Sequence, residues 1–202
     1  MMLTDEQVAV LSIAARILAY PEDNFTEYEK MMNEVVEEDI QSPELKYRLT
    51  LSYQPLFDLT SADRQELYVA TFDLKATLGL YLTAHELGDS TKRGAALIRL
   101  QKIINQAGFE REGHELADYI PMLLELLAIA PETADIERLY RRLAVALQRM
   151  LDHIEETNPY AGILHILMHY VFPQPTEEEI TKLEFDREEA DLEELPFPIM
   201  YQ

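Results

Sequence analysis

Asp73 is where the chemistry of this chain is most concentrated. The run from 68 to 109, YVATFDLKATLGLYLTAHELGDSTKRGAALIRLQKIINQAGF, is apolar on most sides and carries that one odd carboxylate. Read as a single helix over 62–87, it puts Asp73 inside a buried helix. An ionised carboxylate there must be paired or hydrogen-bonded. It either anchors a cationic or hydrogen-bond-donating ligand group or pairs internally with an arginine such as Arg93 or Arg99. Tyr81, His85 and Asp89 follow at four-residue spacing, which places them on one side of the helix and its exit. They offer an aromatic platform, a titratable imidazole and a carboxylate. A lone histidine on an apolar face is ordinarily a satisfied core residue. The charged turn beside His85 moves the reading towards the edge of a site.

Lys92, Arg93, Arg99, Lys102 and Arg111 make 88–111 a locally basic window, opposed by Asp89 and Glu110. A helix start carrying Lys-Arg-Gly presents free N–H groups to an anion, so a phosphate-bearing cofactor is one reading. There is no phosphate-binding glycine loop, and internal ion pairing is the stronger account. His165 and His169 stand at i, i+4, the spacing of a helical metal pair, but Ile166 occupies the place where a zinc motif needs Glu. No Glu-x-x-His pair for a di-iron bundle is present. Glu115, Asp118 and Glu125 surround a proline-started helix, where carboxylates also stabilise the N-terminal dipole. No Ser-His-Asp order and no nucleophile elbow occurs. An enzyme reading therefore has no chemical centre, and neither a metal nor a resident cofactor is expected.

The elements that must position these groups are helices. The 202 residues are 48% apolar and 27% charged, with only 6 glycines, a balance that favours helix over sheet. Net charge is −21. A phosphate backbone needs a positive stripe, so nucleic acid is excluded as a natural partner, and cationic peptides are favoured. The absence of cysteine removes disulfides, thiolate catalysis and cysteine-ligated metals. The first residues lack a basic region before an apolar run, so no secretory signal is read there. Apolar stretches near 119–131 and 160–173 are interrupted by Glu125, His165 and His169, short of the about 18 clean residues a membrane span needs. A soluble, cytoplasmic protein is expected.

Thr4 with Gln7 forms a capping-box pattern at the head of a helix over 4–20, ended by Pro21. Further helices are expected over 23–38, from Pro43 to before 58–60, over 62–87, 91–107, 120–129, 134–155 and 160–171. Gly88 is a natural C-cap, and Asp89 or Ser90 a natural N-cap for the next helix. Asp118 reads as the cap of the helix that Pro121 opens. Residues 1–175 are read as one helical domain. Residues 176–202 are read as an acidic, mobile tail with a possible short helix at 176–184. From 177 onward there are ten acidic and two basic residues, a local net of −8, with little apolar mass to bury. The fold class is all-α, a compact multi-helix bundle.

On these residues the chain resembles the delta-subunit assembly chaperones of respiratory nitrate reductase, the NarJ type, within the wider TorD-like family of redox-enzyme maturation chaperones. The matching run is Phe72-Asp73, Leu80-Tyr81-Leu82-Thr83-x-His85, Gly88-Asp89, Lys92-Arg93-Gly94 with Ala96-Leu97, and Ala107-Gly108-Phe109. It continues in Glu115-Leu116-x-Asp118-Tyr119-x-Pro121 with Leu124-Glu125, and Leu18-x-Tyr20-Pro21 matches near the N-terminus. The resemblance covers roughly 5–172. Ala117 stands where the pattern has proline, and Ser90-Thr91 where it has a shorter basic turn.

The resemblance implies a TorD-like all-helical chaperone and not a catalyst. It implies binding to the N-terminal segment of the nitrate reductase catalytic (alpha) subunit, which keeps the apoenzyme open for insertion of its molybdenum cofactor before membrane docking. Molybdenum cofactor biosynthesis proteins are possible further partners. Asp73, Tyr81, His85, Asp89 and Arg93, with Glu115, Asp118 and Tyr119 on the facing helix, are expected to line or brace the peptide groove. Three other readings stand beside it. One is a carrier that holds the molybdopterin guanine dinucleotide cofactor at the 91–99 helix start, and another is a chaperone for a different molybdoenzyme. The third is a helical interaction domain whose acidic tail meets an unrelated partner.

Overall fold

The structure, a computed structural model, describes residues 3–22, 24–110 and 115–182. Among them the regular elements are helices, joined by one isolated antiparallel bridge between Tyr81 and Tyr119. No helix of the described residues is long and apolar enough to cross a membrane.

Helix α1 (Asp5–Leu18) opens with the expected capping box: the Thr4 hydroxyl accepts from the Gln7 N–H and the Gln7 side chain accepts from the Thr4 N–H. Ala9, Val10, Leu11, Ile13, Ala14, Ala15, Ile17 and Leu18 are all buried. A surface helix buries one stripe, whereas burial this wide marks an element surrounded by others. The centre of the bundle is therefore α1, and not the 62–87 segment. Helices α2 (Phe25–Asp39) and α7 (Ile120–Ile129) pack on it, as do α9 (Ala161–Ile166) and the π-turn Leu167–Val171 that extends α9.

Helix α3 (Pro43–Phe57) begins with Ser42 as cap and Pro43 in its first turn. Glu6 Oε1 accepts from the N–H groups of Gln41 and Ser42 at 2.7 and 2.8 Å, which ties the α2–α3 turn to α1. Helix α3 crosses α9 at Gly162. A Cβ added there would lie 3.0 Å from Ser52 Cα and 3.2 Å from the Ser52 carbonyl oxygen, contacts with backbone that cannot swing away. Gly162→Val is expected to cost about 2 kcal/mol of overpacking, read as a lower midpoint in urea with unchanged slope.

The expected helix over 62–87 is not continuous. Helix α4 (Ser61–Tyr68) widens into a π-turn over Val69–Asp73, closed by the Leu74 N–H donating to the Val69 carbonyl at 3.2 Å. The chain then turns and extends before α5 (Leu82–Leu87). Residues two apart on a helix face different sides, yet Leu78, Leu80 and Leu82 are all buried. Extension achieves this. It is held by Ile120 N–H donating to the Leu80 carbonyl at 2.8 Å and Leu82 N–H donating to the Asp118 carbonyl at 2.9 Å. Gly88 follows α5 with φ 53, the left-handed cap its type permits.

Helix α6 spans Arg93–Gln106 and α8 spans Ala134–His153, with Thr133 as cap of α8 and Ile136, Leu139, Tyr140, Leu143 and Leu147 inward as the periodicity requires. Arg142 grips Glu86 with Nε and Nη2 at 2.6 and 2.7 Å and fastens α8 to α5. Residues 177–182 are helical. Residues 183–202, and with them most of the expected mobile tail, lie outside the described residues.

Candidate functional site

The Tyr81–Tyr119 bridge joins two segments far apart in sequence, and most of the expected site residues gather around it. Asp118 lies directly beneath and is fully buried. Its Oδ2 accepts from the Thr83 N–H at 3.2 Å and from the Thr83 hydroxyl, and Arg93 Nη2 stands 3.7 Å away. Arg93 Nε donates to Thr83 Oγ1 at 3.2 Å. Asp118 thus does not cap the helix it precedes; Tyr119 occupies that position. It caps α5 from 35 residues away, where free N–H groups and the positive helix end favour a carboxylate. The buried acid of this region is therefore Asp118. Asp73 is exposed, and of the two arginines offered as its partner Arg93 meets Asp118 and Arg99 lines the groove between α6 and α8.

His85 is wholly buried, with Nε2 2.6 Å from the Gly79 carbonyl oxygen, so it fixes the turn before α5 and does not line an edge. Asp89 is exposed in the turn after α5, and among the described residues no hydrogen bond or ion pair joins it to this cluster. At the start of α6 the Arg93 side chain turns inward to Asp118, and Ser90 Oγ accepts from the Lys92 N–H. His165 meets Glu156 at 3.1 Å, and no group of three or more metal-ligating side chains is present among the described residues.

Above this brace lies a band of aromatic rings with an acidic rim. Tyr81 and Tyr119 have ring centroids 5.6 Å apart, and Tyr68 packs edge-on against Tyr20 at 5.2 Å and Phe72 at 5.1 Å. The hydroxyls of Tyr68 and Tyr119 share a 3.2 Å hydrogen bond. Tyr81 Oη donates to Glu115 Oε2 at 2.8 Å. Burial, first, pushes all three phenols above their ordinary range. The negative charge of Asp73 adds to the rise at Tyr68 and Tyr119, and that of Glu115 at Tyr81 and Tyr119. Both carboxylates therefore act on the same ring cluster, although 42 positions separate them. Leu74, at 76% exposure, and Leu116, at 44%, flank the two acids in sequence, and Tyr20, at 48%, joins the cluster through its ring contact with Tyr68. Apolar anchors beside exposed negative charge suit a basic amphipathic segment.

Of the eight residues singled out from sequence, His85, Arg93 and Asp118 form a brace, Tyr119 spans brace and surface, and Asp73, Tyr81 and Glu115 form the rim. Asp89 stands apart. Tyr20 and Tyr68 were missed as site residues; the Leu18-x-Tyr20-Pro21 turn was the one signal available for the first.

The profile of the nitrate reductase delta subunit family matches residues 36–160, which include every residue of the brace and rim. The probable nitrate reductase molybdenum cofactor assembly chaperone NarJ of Bacillus subtilis (strain 168) is 26% identical over 171 residues, 82% of this chain and 89% of that protein. The nitrate reductase molybdenum cofactor assembly chaperone NarJ of Escherichia coli (strain K12) is 30% identical over 130 residues, 64% of this chain and 55% of that protein. The probable chaperone NarW of the same strain is 25% identical over 123 residues, 61% of this chain and 51% of that protein. The chain spans about half the length of these two Escherichia coli relatives. With the profile covering well over half of its residues and the brace lying inside that match, the chain belongs to the nitrate reductase delta subunit family.

Proposed function

We propose that this protein is an assembly chaperone for a nitrate reductase. It acts by holding the N-terminal segment of the catalytic subunit on the acid-rimmed tyrosine band before the molybdenum cofactor is inserted. The relatives' role as named chaperones of that assembly supports the client. The carrying observation is the gathering of two exposed carboxylates around a single cluster of rings with exposed apolar neighbours: Glu115 accepts from Tyr81, and Asp73 adjoins Phe72, which packs on Tyr68. Brace and rim divide the labour. Arg93, Thr83 and Asp118 fix where the bridge lies; the rim supplies charge and apolar contact. Binding and release of a polypeptide is the whole of this mechanism, and no covalent step by the chain's own residues enters it.

Calorimetric titration tests this with a peptide matching the first few dozen residues of the same organism's nitrate reductase catalytic subunit, beside a control peptide from another molybdoenzyme. Saturable binding to the first alone is the expected result. Asp73→Lys and Glu115→Lys should each weaken it about tenfold, or about 1.4 kcal/mol, and raised salt should weaken it further. Thermal melting should not change for Asp73→Lys, and should fall only slightly for Glu115→Lys, which loses the Tyr81 hydrogen bond at an exposed side chain. Equal weakening by Glu38→Lys on α2 would reduce the effect to general charge and remove the rim from the account. Binding of the control peptide instead would change the client, and binding of neither would end the peptide reading.

A further inference from the structure

The groove between α6 and α8 has a charge opposite to that of the chain as a whole. It encloses about 490 Å3. Arg99 comes from α6, Arg138, Arg141 and Arg142 come from α8, and Lys182 closes one end; Glu86, Asp135 and Glu179 stand among them. Five cations thus face three carboxylates in a protein of net charge −21. Only one of the pairings is tight, the two-pronged grip of Arg142 on Glu86. Arg138 meets Asp135 at 3.4 Å and Arg141 meets Glu179 at 3.6 Å, with both arginine side chains more than half exposed, so these pairs contribute little and exchange readily. Arg99 and Lys182 have no ion pair among the described residues. Leu87, Ala96, Ile103 and Val145 form an apolar floor.

A floor without any aromatic ring gives a nucleobase or pterin no platform to stack on. Arginine forks above an apolar floor instead suit carboxylates interleaved with aliphatic side chains. The chain contains such a segment one residue beyond Lys182. Residues 183–202 hold seven acidic residues and one basic residue, with Leu183, Phe185, Leu192 and Leu195 between and beside them. The contact from Arg141 to Glu179 already brings the approach to this segment onto the groove wall. Covalent attachment at the rim gives an effective concentration of about millimolar, so individually weak ion pairs suffice for occupancy.

We propose that the α6–α8 groove is an acidic-peptide site and that the chain's own segment 183–202 is its occupant. An acidic partner would reach Arg99 and Arg138 only by displacing that segment.

The absence of cysteine allows a clean test in the full chain. Ala190→Cys carries a single nitroxide spin label, and nuclear magnetic resonance reads amide intensities with the label active and reduced. The amides of Ala96, Arg99 and Arg142 should lose about half their intensity or more, while those of Lys30 and Glu34 on α2 keep theirs. About 1 M salt, which shortens the screening length to about 3 Å, should restore the lost intensity, and so should Arg99→Glu combined with Arg138→Glu. Absence of selective broadening, or broadening that persists in salt, overturns the proposal without reliance on any variant's folding. A mixture of labelled, unenriched protein with unlabelled, enriched protein settles the source. Broadening in that mixture would seat a second copy in the groove and overturn the assignment to the chain's own segment.

Discussion

Asp118→Ala is expected to destabilise the protein by about 3 kcal/mol and to lower its melting temperature by roughly 6–12 °C. The carboxylate is fully buried, accepts twice from Thr83 and faces Arg93 at 3.7 Å. Its removal leaves the first turn of α5 without an acceptor and Arg93 without a counter-charge. The loss stays below the upper range for broken buried pairs, because 24% of the Arg93 side chain reaches solvent. Asp118→Asn, which keeps an acceptor and loses the charge, should fall between wild type and alanine. Arg93→Ala should cost about 1 kcal/mol less in the Asp118→Ala background than alone, the coupling of a direct contact. Circular dichroism melts of the wild type, the three single variants and the double variant measure all of this. A melt for Asp118→Ala coincident with wild type would show that the bridge is held by its backbone bonds alone. The same variants separate brace from rim: peptide affinity should fall with Asp118→Ala in proportion to unfolding, and with Asp73→Lys without it.

Arg64→Ala carries the second large effect, about 4 kcal/mol, or roughly 8–16 °C in melting temperature. Arg64 is 2% exposed, which is rare for arginine. Its Nε donates to the Leu56 carbonyl and its Nη2 to the Leu59 carbonyl, each at 2.8 Å, so it satisfies one oxygen that the end of α3 leaves free and one in the turn that follows. Its guanidinium lies 4.4 Å from the centre of the Phe25 ring. Burial draws its pKa below the ordinary arginine value. Truncation empties a large buried volume and strands both carbonyls. Arg64→Lys should recover little, since an ammonium cannot reproduce two divergent N–H directions and a ring contact together. Equilibrium denaturation in urea gives the comparison. An Arg64→Lys variant as stable as wild type would mean that charge alone, and not the fork, matters there.

Local chemistry was readable from the sequence. Thr4 with Gln7, Pro43 and Pro121 in first turns and Gly88 after α5 each announce a helix boundary through local chemistry, and each stands where that chemistry puts it. The inward stripe of α8 is legible for the same reason. What escaped was decided at a distance. No proline interrupts 62–87, and Gly79 alone does not force a break. The break follows from the backbone of 118–120, which pairs with 80–82 and buries three leucines at alternate positions. That one misplacement carried others. In a continuous helix Asp73 is buried and His85 lies on an edge; once the chain turns at 74–81, Asp73 reaches the surface and His85 goes inside. Asp118 looked like a cap for its own helix because the helix it does cap begins 36 residues earlier in the chain. Arg64 gave no signal at all, since the carbonyls it serves belong to the end of another helix and the turn that follows it.

The wide burial of α1 also has a consequence in time. Its partners are α2, α7, α9 and the π-turn Leu167–Val171, and Gln7 Nε2 donates to the Tyr170 carbonyl 163 residues away. Contacts of such span form late, because the loop they close must first exist. At about 5–20 residues per second, the chain emerging from the ribosome waits on the order of ten seconds between α1 and the last helix that covers it. For that interval α1, buried on nearly every side in the finished fold, is complete but only partly covered. The order of synthesis thus makes the central helix early and the last of its covering helices late.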